Sequence, residues 1–172
     1  ELVQNDYFWY NSETFIFRYN GKILKGWPQY TFAPSFTSPI IADINEDKIS
    51  DILVLTQDNP QDGSAHGKIY AFNIDGTKID GFPKIIEANI GGSAIAVGNF
   101  DQDKNLELVA GADWPFDYLT KHPKLRSELY RWELNSNYNS GSKADWPHYR
   151  HDIQLSSCYD CTHKECDAEW QY

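Results

Sequence analysis

The sequence lacks methionine altogether, and it begins with Glu1. We therefore expect a processed product or a piece of a longer precursor, so the lack of a targeting segment says nothing about the destination of the protein. Cysteine is confined to the tail, where Cys158, Cys161 and Cys166 lie. The body of the chain is therefore not a disulfide scaffold.

Basic residues and long apolar runs are also scarce. The chain has 15 Lys and Arg against 25 Asp and Glu, which gives a formal net charge of -10. This charge argues against a nucleic-acid partner, because a phosphate backbone would be repelled. The apolar runs are strand-sized, well short of the ~20 residues that a membrane-spanning helix needs. Aromatic residues, in contrast, make up 15% of the 172 residues, which is typical of β architecture or of a contact surface.

One short stretch, DINEDKISD (43–51), concentrates oxygen-bearing side chains and is followed at once by an apolar, strand-like run. Asp43, Asn45, Asp47 and Asp51 stand at positions one, three, five and nine of this stretch. A turn alone needs only one Asp or Asn, and like charges this close repel one another. We therefore expect a cation among them.

The acidic stretch is repeated later in the chain. Residues 43–51 align without gaps with NFDQDKNLE (99–107), and a Tyr- or Trp-bearing segment follows each copy at 67–83 and 127–137. A further copy of that segment lies at 15–28. A Gly-aromatic-Pro tripeptide ends two of the three segments, at 26–28 and 81–83, and Asp-Trp-Pro at 145–147 is a variant of it. The spacing of these tripeptides gives a sequence repeat of about 55 to 65 residues.

The pattern within each repeat predicts a short antiparallel sheet. Apolar and alternating runs are separated by hairpin turn signals such as Asn20-Gly21 and Asp75-Gly76. A helical period appears only near 118–129, where Pro123 interrupts it. We therefore predict an all-β fold of four-stranded antiparallel sheets. Such sheets are stable only when they pack on their neighbours, as blades of a β-propeller do.

The order of acidic turn, apolar strand, aromatic strand and Gly-Trp-Pro resembles the FG-GAP/VCBS repeats of integrin-α-type β-propellers. The ending DWPHYRHD (145–152) resembles the segment that closes bacterial and archaeal proteins of that kind. This resemblance implies propeller blades over residues 1–155 and a cysteine-containing tail over 156–172. The chain holds about two and a half blades, whereas closed propellers have four to eight. We therefore expect the remaining blades in further sequence or in another chain.

The resemblance also implies Ca²⁺ in each acidic loop, bound by side chains at positions one, three, five and nine and by a backbone carbonyl at seven. The implied ligands are Asp43, Asn45, Asp47, Asp51 and the carbonyl of Ile49 in the first loop, and Asn99, Asp101, Asp103, Glu107 and the carbonyl of Asn105 in the second. Lys48 and Lys104 replace the glycine usual at position six, which predicts strain in a left-handed turn. With Asn99 and the longer Glu107, the second loop is expected to bind more weakly. The alternative is a solvated turn in which Asp and Asn cap backbone groups.

The two longest loops, 57–67 and 112–127, follow the second strand of their units and are candidates for partner binding. The second carries Trp114, Phe116 and Tyr118 on alternate positions. Such aromatics serve as interface anchors or sugar platforms, and the alternative is that they pack against their own blade.

The tail has two interpretations. Cys158, Cys161, His163 and Cys166 could supply four zinc ligands, but His163 follows Cys161 more closely than usual spacings allow. A disulfide bond plus one spare thiol is the favoured alternative.

No catalytic pattern emerges, since Gly91-Gly92-Ser93-Ala94 lacks the second flanking glycine of a nucleophile elbow. The sequence thus predicts a non-enzymatic, extracellular or cell-surface module, stabilised by calcium, that binds a protein or glycan. Two alternatives stay open: an accessory propeller of a secreted hydrolase or lyase, and a structural subunit of an extracellular assembly.

Overall fold

The computed structural model describes residues 2–8, 11–31, 33–35, 37–58, 66–88, 90, 93–101, 103–113 and 127–137. Within these ranges the regular elements are all β-strands. They are β1 (Leu2–Phe8), β2 (Asn11–Phe17), β3 (Gln29–Thr31), β4 (Ile40–Ala42), β5 (Asp51–Asp58), β6 (His66–Phe72), β7 (Lys84–Ile86), β8 (Ile95–Gly98), β9 (Asn105–Asp113) and β10 (Ser127–Asn137). The described part of the chain contains no helix long and apolar enough to span a membrane.

The strands form three antiparallel sheets in which neighbours in sequence are neighbours in space. The first sheet is β1-β2-β3, the middle sheet is β4-β5-β6-β7, and the third sheet is β8-β9-β10. The predicted all-β class with antiparallel sheets is confirmed. Four strands are present in the middle sheet, and three in each of the other two within the described ranges.

The apolar run of β5 explains how the sheets pack. Successive side chains of a strand point to opposite faces. Ile52 and Val54 therefore join one core with Ile16 of the first sheet, whereas Leu53 and Leu55 join a second, larger core that includes residues of the third sheet. All four β5 side chains are buried. The middle sheet thus lies between the other two, and both of its faces are covered.

The hairpins after β2 and β6 have the same construction at a constant offset of 55 residues. Gly21 and Gly26 of the first correspond to Gly76 and Gly81 of the second, and all four have positive φ. Equivalent backbone hydrogen bonds close both hairpins, such as Leu24 N–H to Ile16 O (2.7 Å) and Ile79 N–H to Ala71 O (3.0 Å). The Trp27-Pro28 and Phe82-Pro83 peptide bonds are both cis.

The two hairpins dock on each other backbone to backbone. A Cβ on Gly26 would collide with the carbonyl oxygen of Asp75, and one on Gly76 would collide with the carbonyl oxygen of Gly26. The indole N–H of Trp27 donates to the carbonyl of Ile74 at 2.8 Å. Glycine is therefore required at this junction by close approach as well as by backbone conformation.

Candidate metal centre

The first acidic loop, residues 43–51, joins β4 to β5 and is built around two buried acids, Asp43 and Asp51. The carboxylate of Asp43 accepts hydrogen bonds from the N–H groups of Glu46 (2.8 Å) and Lys48 (3.1 Å). Glu46 and Lys48 both have left-handed backbones, with φ of 66° and 67°. Lys48 thus has the left-handed backbone that favours glycine at position six, a conformation that disfavours side chains with a Cβ.

The other oxygen-bearing side chains of the first loop also cap its backbone. Asn45 Oδ1 accepts from the N–H of Asp47 (3.0 Å), and Asp47 Oδ1 accepts from the N–H of Ile49 (2.7 Å). Asp51 Oδ2 accepts from the N–H of Ile44 at 3.0 Å. The local caps that a solvated turn without a cation would need are thus present. They do not exclude a cation, because each carboxylate has about four acceptor positions.

Asp51 is the most perturbed acid of the first loop. Its pKa is raised from 3.8 to about 7, mainly by burial; the N–H of Ile44 lowers it, and the charges of Asp47 and Asp43 raise it. The side-chain amide of Asn45 lies 3.5 Å from Asp51 Oδ1 and donates a shorter bond of 3.0 Å to Asn73 Oδ1. Without a cation, the ionised form of Asp51 is therefore poorly stabilised.

The second loop, residues 99–107, joins β8 to β9 and repeats three of the caps of the first at a constant offset of 56 residues. Glu107 Oε2 accepts from the N–H of Phe100 at 2.6 Å, as Asp51 does from Ile44. Asp101 Oδ1 accepts from the N–H of Asp103 (3.2 Å), and Asp103 Oδ1 accepts from the N–H of Asn105 (2.6 Å). The two loops therefore occupy equivalent places in the middle and third sheets. The prediction of a left-handed turn at Lys104 is wrong, because Lys104, unlike Lys48, does not have a positive φ.

The carboxylates of the second loop converge on one point. Asp101, Asp103, Glu107 and Glu133 each offer an oxygen, and these oxygens lie within 4.8 Å of one another. Although Asp43, Asp47 and Asp51 of the first loop are all described, they form no such group. The sequence favours the first loop as the stronger site, whereas the convergence of carboxylates favours the second. We call the four converging acids the acidic cluster.

Glu133 is the member of the acidic cluster that sequence reasoning missed. It lies on β10 directly opposite Glu107 of β9. In the middle sheet, Phe72 of β6 lies opposite Ile52 of β5. Because the strands are antiparallel, Asn73, the residue after Phe72, comes opposite Asp51, and it therefore has the position that Glu133 has opposite Glu107. The sequence did contain this signal, because aligning segment 67–83 with 127–137 places Glu133 on Asn73.

Two oxygens at the second loop are buried without a hydrogen-bond partner: Glu107 Oε1 and Asn99 Oδ1. Glu107 is fully buried, at 0% exposure. The amide group of Asn99 donates to the carbonyl of Asp103 at 2.5 Å, which leaves Oδ1 for another partner. A buried acceptor without a donor costs roughly 1–3 kcal/mol, and more when it is charged. Both oxygens belong to predicted metal ligands.

Arg131 partly neutralises the acidic cluster. Its Nη2 lies 2.5 Å from Asp101 Oδ2 and 3.2 Å from Glu133 Oε2. The pKa of Asp101 is lowered, first by the N–H of Asp103 and then by Arg131. The same two acids raise the pKa of Arg131. One guanidinium thus contacts two of the four carboxylates, and Glu107 Oε1 is left without a donor.

The remaining predicted residues lie outside the described part of the chain. These are the aromatic residues Trp114, Phe116 and Tyr118 and the tail residues Cys158, Cys161, His163 and Cys166. The partner-binding, disulfide and zinc interpretations therefore stay predictions. Comparison of the chain with protein-family models, with curated proteins and with solved structures found no match.

Proposed function

We propose that the chain is part of a calcium-stabilised β-propeller that binds a protein or glycan outside the cell without catalysing a reaction. The observation that carries the calcium assignment is the buried, unpartnered Oε1 of Glu107 within the acidic cluster. Ca²⁺ takes six to eight oxygen ligands and tolerates irregular geometry. It would supply the positive charge that Glu107 lacks.

The arrangement of the sheets supports the propeller. Each sheet is a meander of three or four strands, and the middle sheet is covered on both faces by its neighbours. The hairpins recur at a constant offset and dock on each other through Gly26 and Asp75. A repeated meander that buries its apolar faces only against adjacent copies is the construction of propeller blades.

The role of calcium in this proposal is structural. A cation held by Asp101, Asp103 and Glu107 would tie the loop between β8 and β9 together. We expect millimolar to submillimolar affinity, as in other modules that work in extracellular calcium. The long loop that carries Trp114 would then supply the surface for a protein or glycan.

Calorimetric titration of the full chain with CaCl₂ tests the proposal. We expect binding with Kd on the order of 0.1–1 mM, and a Tm higher in calcium than in EDTA. At ten times Kd the ion stabilises the folded state by about 1.4 kcal/mol, which raises the Tm by roughly 3–6 °C for a chain of this size. Glu107→Gln should remove most of this effect, and the exposed control Asp80→Asn should leave it unchanged. An unchanged Tm of the unmodified protein in calcium would contradict the proposal.

A glycan array and a pull-down with extracellular proteins test partner binding. We expect binding that Trp114→Ala weakens while the Tm stays the same. A variant that unfolds instead would assign Trp114 to packing against its own blade.

A further inference from the structure

We propose that Arg131 is a tethered competitor for the cation of the second loop, and that Glu133 is the cross-strand ligand that Arg131 holds in the metal-free protein. Binding of Ca²⁺ would then displace the guanidinium from Asp101 and Glu133. This inference rests on the proposed calcium binding, and it adds a ligand and a regulatory residue that lie outside the acidic loop.

The register of β9 and β10 places both residues at the site. Glu133 lies directly opposite Glu107, and Arg131 lies two residues earlier, opposite Val109. Residues two apart on a strand share a face, and directly opposed residues of an antiparallel pair lie on the same face with Cβ atoms ~5 Å apart. Glu107 and Glu133 are therefore a like-charged cross-strand pair, which is unfavourable unless a cation lies between them.

Arg131 supplies the positive charge between these two acids only in part. A single nitrogen, Nη2, contacts both Asp101 and Glu133, and the three side chains are 44%, 34% and 44% exposed. Ion pairs with this exposure are screened by water and easily exchanged. The buried Oε1 of Glu107 has no hydrogen-bond partner even with Arg131 in place. A small divalent ion, in contrast, can contact buried and exposed oxygens at once.

The first loop has neither a cross-strand acid nor an arginine beside it. Asn73 takes the place of Glu133, and its Oδ1 accepts from the side-chain amide of Asn45 at 3.0 Å. Ala71 takes the place of Arg131, since it precedes Asn73 by two residues as Arg131 precedes Glu133. The middle sheet thus has a neutral amide pair where the third sheet has two acids bridged by an arginine. Competition by a protein side chain is therefore specific to the second loop.

The test is a double-mutant cycle on calcium affinity in the full chain. All proteins carry Asp51→Asn, so that the second loop is measured alone. We expect Glu133→Gln to raise the Kd for calcium roughly tenfold, because a charged ligand is lost. Arg131→Gln should lower the Kd roughly three- to tenfold, as expected from removing two exposed ion pairs. In the double variant the benefit of Arg131→Gln should shrink, because Glu133 is no longer available for Arg131 to hold.

Arg18→Gln removes one exposed positive charge from the hairpin after β2 and is the control for overall charge. Far-UV circular dichroism and the Tm in EDTA verify folding, and Glu133→Asp, which keeps the carboxylate, should bind calcium more tightly than Glu133→Gln. An Arg131→Gln affinity no higher than that of Arg18→Gln, an unchanged Kd in Glu133→Gln, or additive effects in the cycle would overturn the inference. If the parent protein binds no calcium, the proposed function itself fails at this loop.

Discussion

Replacing Gly26 with Ala tests how the first two sheets are joined. Gly26 has φ of 94°, and an added Cβ would collide with the backbone carbonyl of Asp75. Gly81 has the same place in the next hairpin and φ of 81°, but the nearest atom to its added Cβ is the flexible end of Lys84 at 3.7 Å. The two substitutions therefore share the backbone strain and differ in the collision between hairpins.

The expected magnitudes follow from these two contributions. A positive φ costs an L-residue about 1–2 kcal/mol, so Gly81→Ala should lower the free energy of unfolding by about that much. Forcing extra atoms into a packed contact adds typically ~1–3 kcal/mol. The collision partner of Gly26 is backbone, which can move only if the hairpins separate. Gly26→Ala should therefore cost ~2–5 kcal/mol.

Urea unfolding followed by circular dichroism, with Trp fluorescence as a second probe, measures the difference. Separation of the hairpins would also break the hydrogen bond from Trp27 to Ile74, so the native Trp fluorescence should change in Gly26→Ala and stay the same in Gly81→Ala. Equal losses of stability in the two variants would refute the docking of the hairpins through this glycine.

Three further predictions concern the loops and the core. In EDTA the unmodified protein should lose stability as the pH rises from about 4 to 7. The pKa of Asp51 is raised from 3.8 to about 7 in the folded state, which therefore binds the proton more tightly than the unfolded state does. Urea midpoints at pH 5 and 8 should show this loss of stability, and the loss should be smaller in Asp51→Asn. Leu108→Ala should cost about 2–5 kcal/mol because its side chain is fully buried, whereas Leu129→Ala, at 76% exposure, should stay within about 0.5 kcal/mol on the same assay. Ser136→Ala should cost roughly 1 kcal/mol, because its hydroxyl donates at 2.9 Å to the buried carbonyl of Asp43 and so links the third sheet to the first loop; no loss of stability would contradict that link.

Local sequence patterns account for much of the fold. The apolar run after Asp51 predicts a buried strand, and β5 (Asp51–Asp58) begins there. The Asn20-Gly21 and Asp75-Gly76 signals predict hairpins, and both glycines have positive φ. Asn45 and Asp47, at positions three and five of the first acidic stretch, are typical of a loop, because such side chains cap N–H groups two residues on. Each of these features depends on neighbours in the sequence.

What the sequence did not predict depends on contacts between distant segments. The collision site of Gly26 belongs to Asp75, and no local pattern connects them. Glu133 and Arg131 join the second loop only through the register of β9 and β10. The acidic loops alone therefore favour the first copy as the stronger site, because the cross-strand residues that distinguish the two copies lie outside the loops.

The most direct measurement of the central claim is anomalous diffraction from crystals of the full chain grown in millimolar calcium. The account predicts an anomalous difference peak at the acidic cluster, with Asp101, Asp103, Glu107 and Glu133 oxygens roughly 2.3–2.6 Å from the ion and the Arg131 guanidinium moved away from Asp101. A cluster without a peak, in which Arg131 still bridges Asp101 and Glu133, would contradict it.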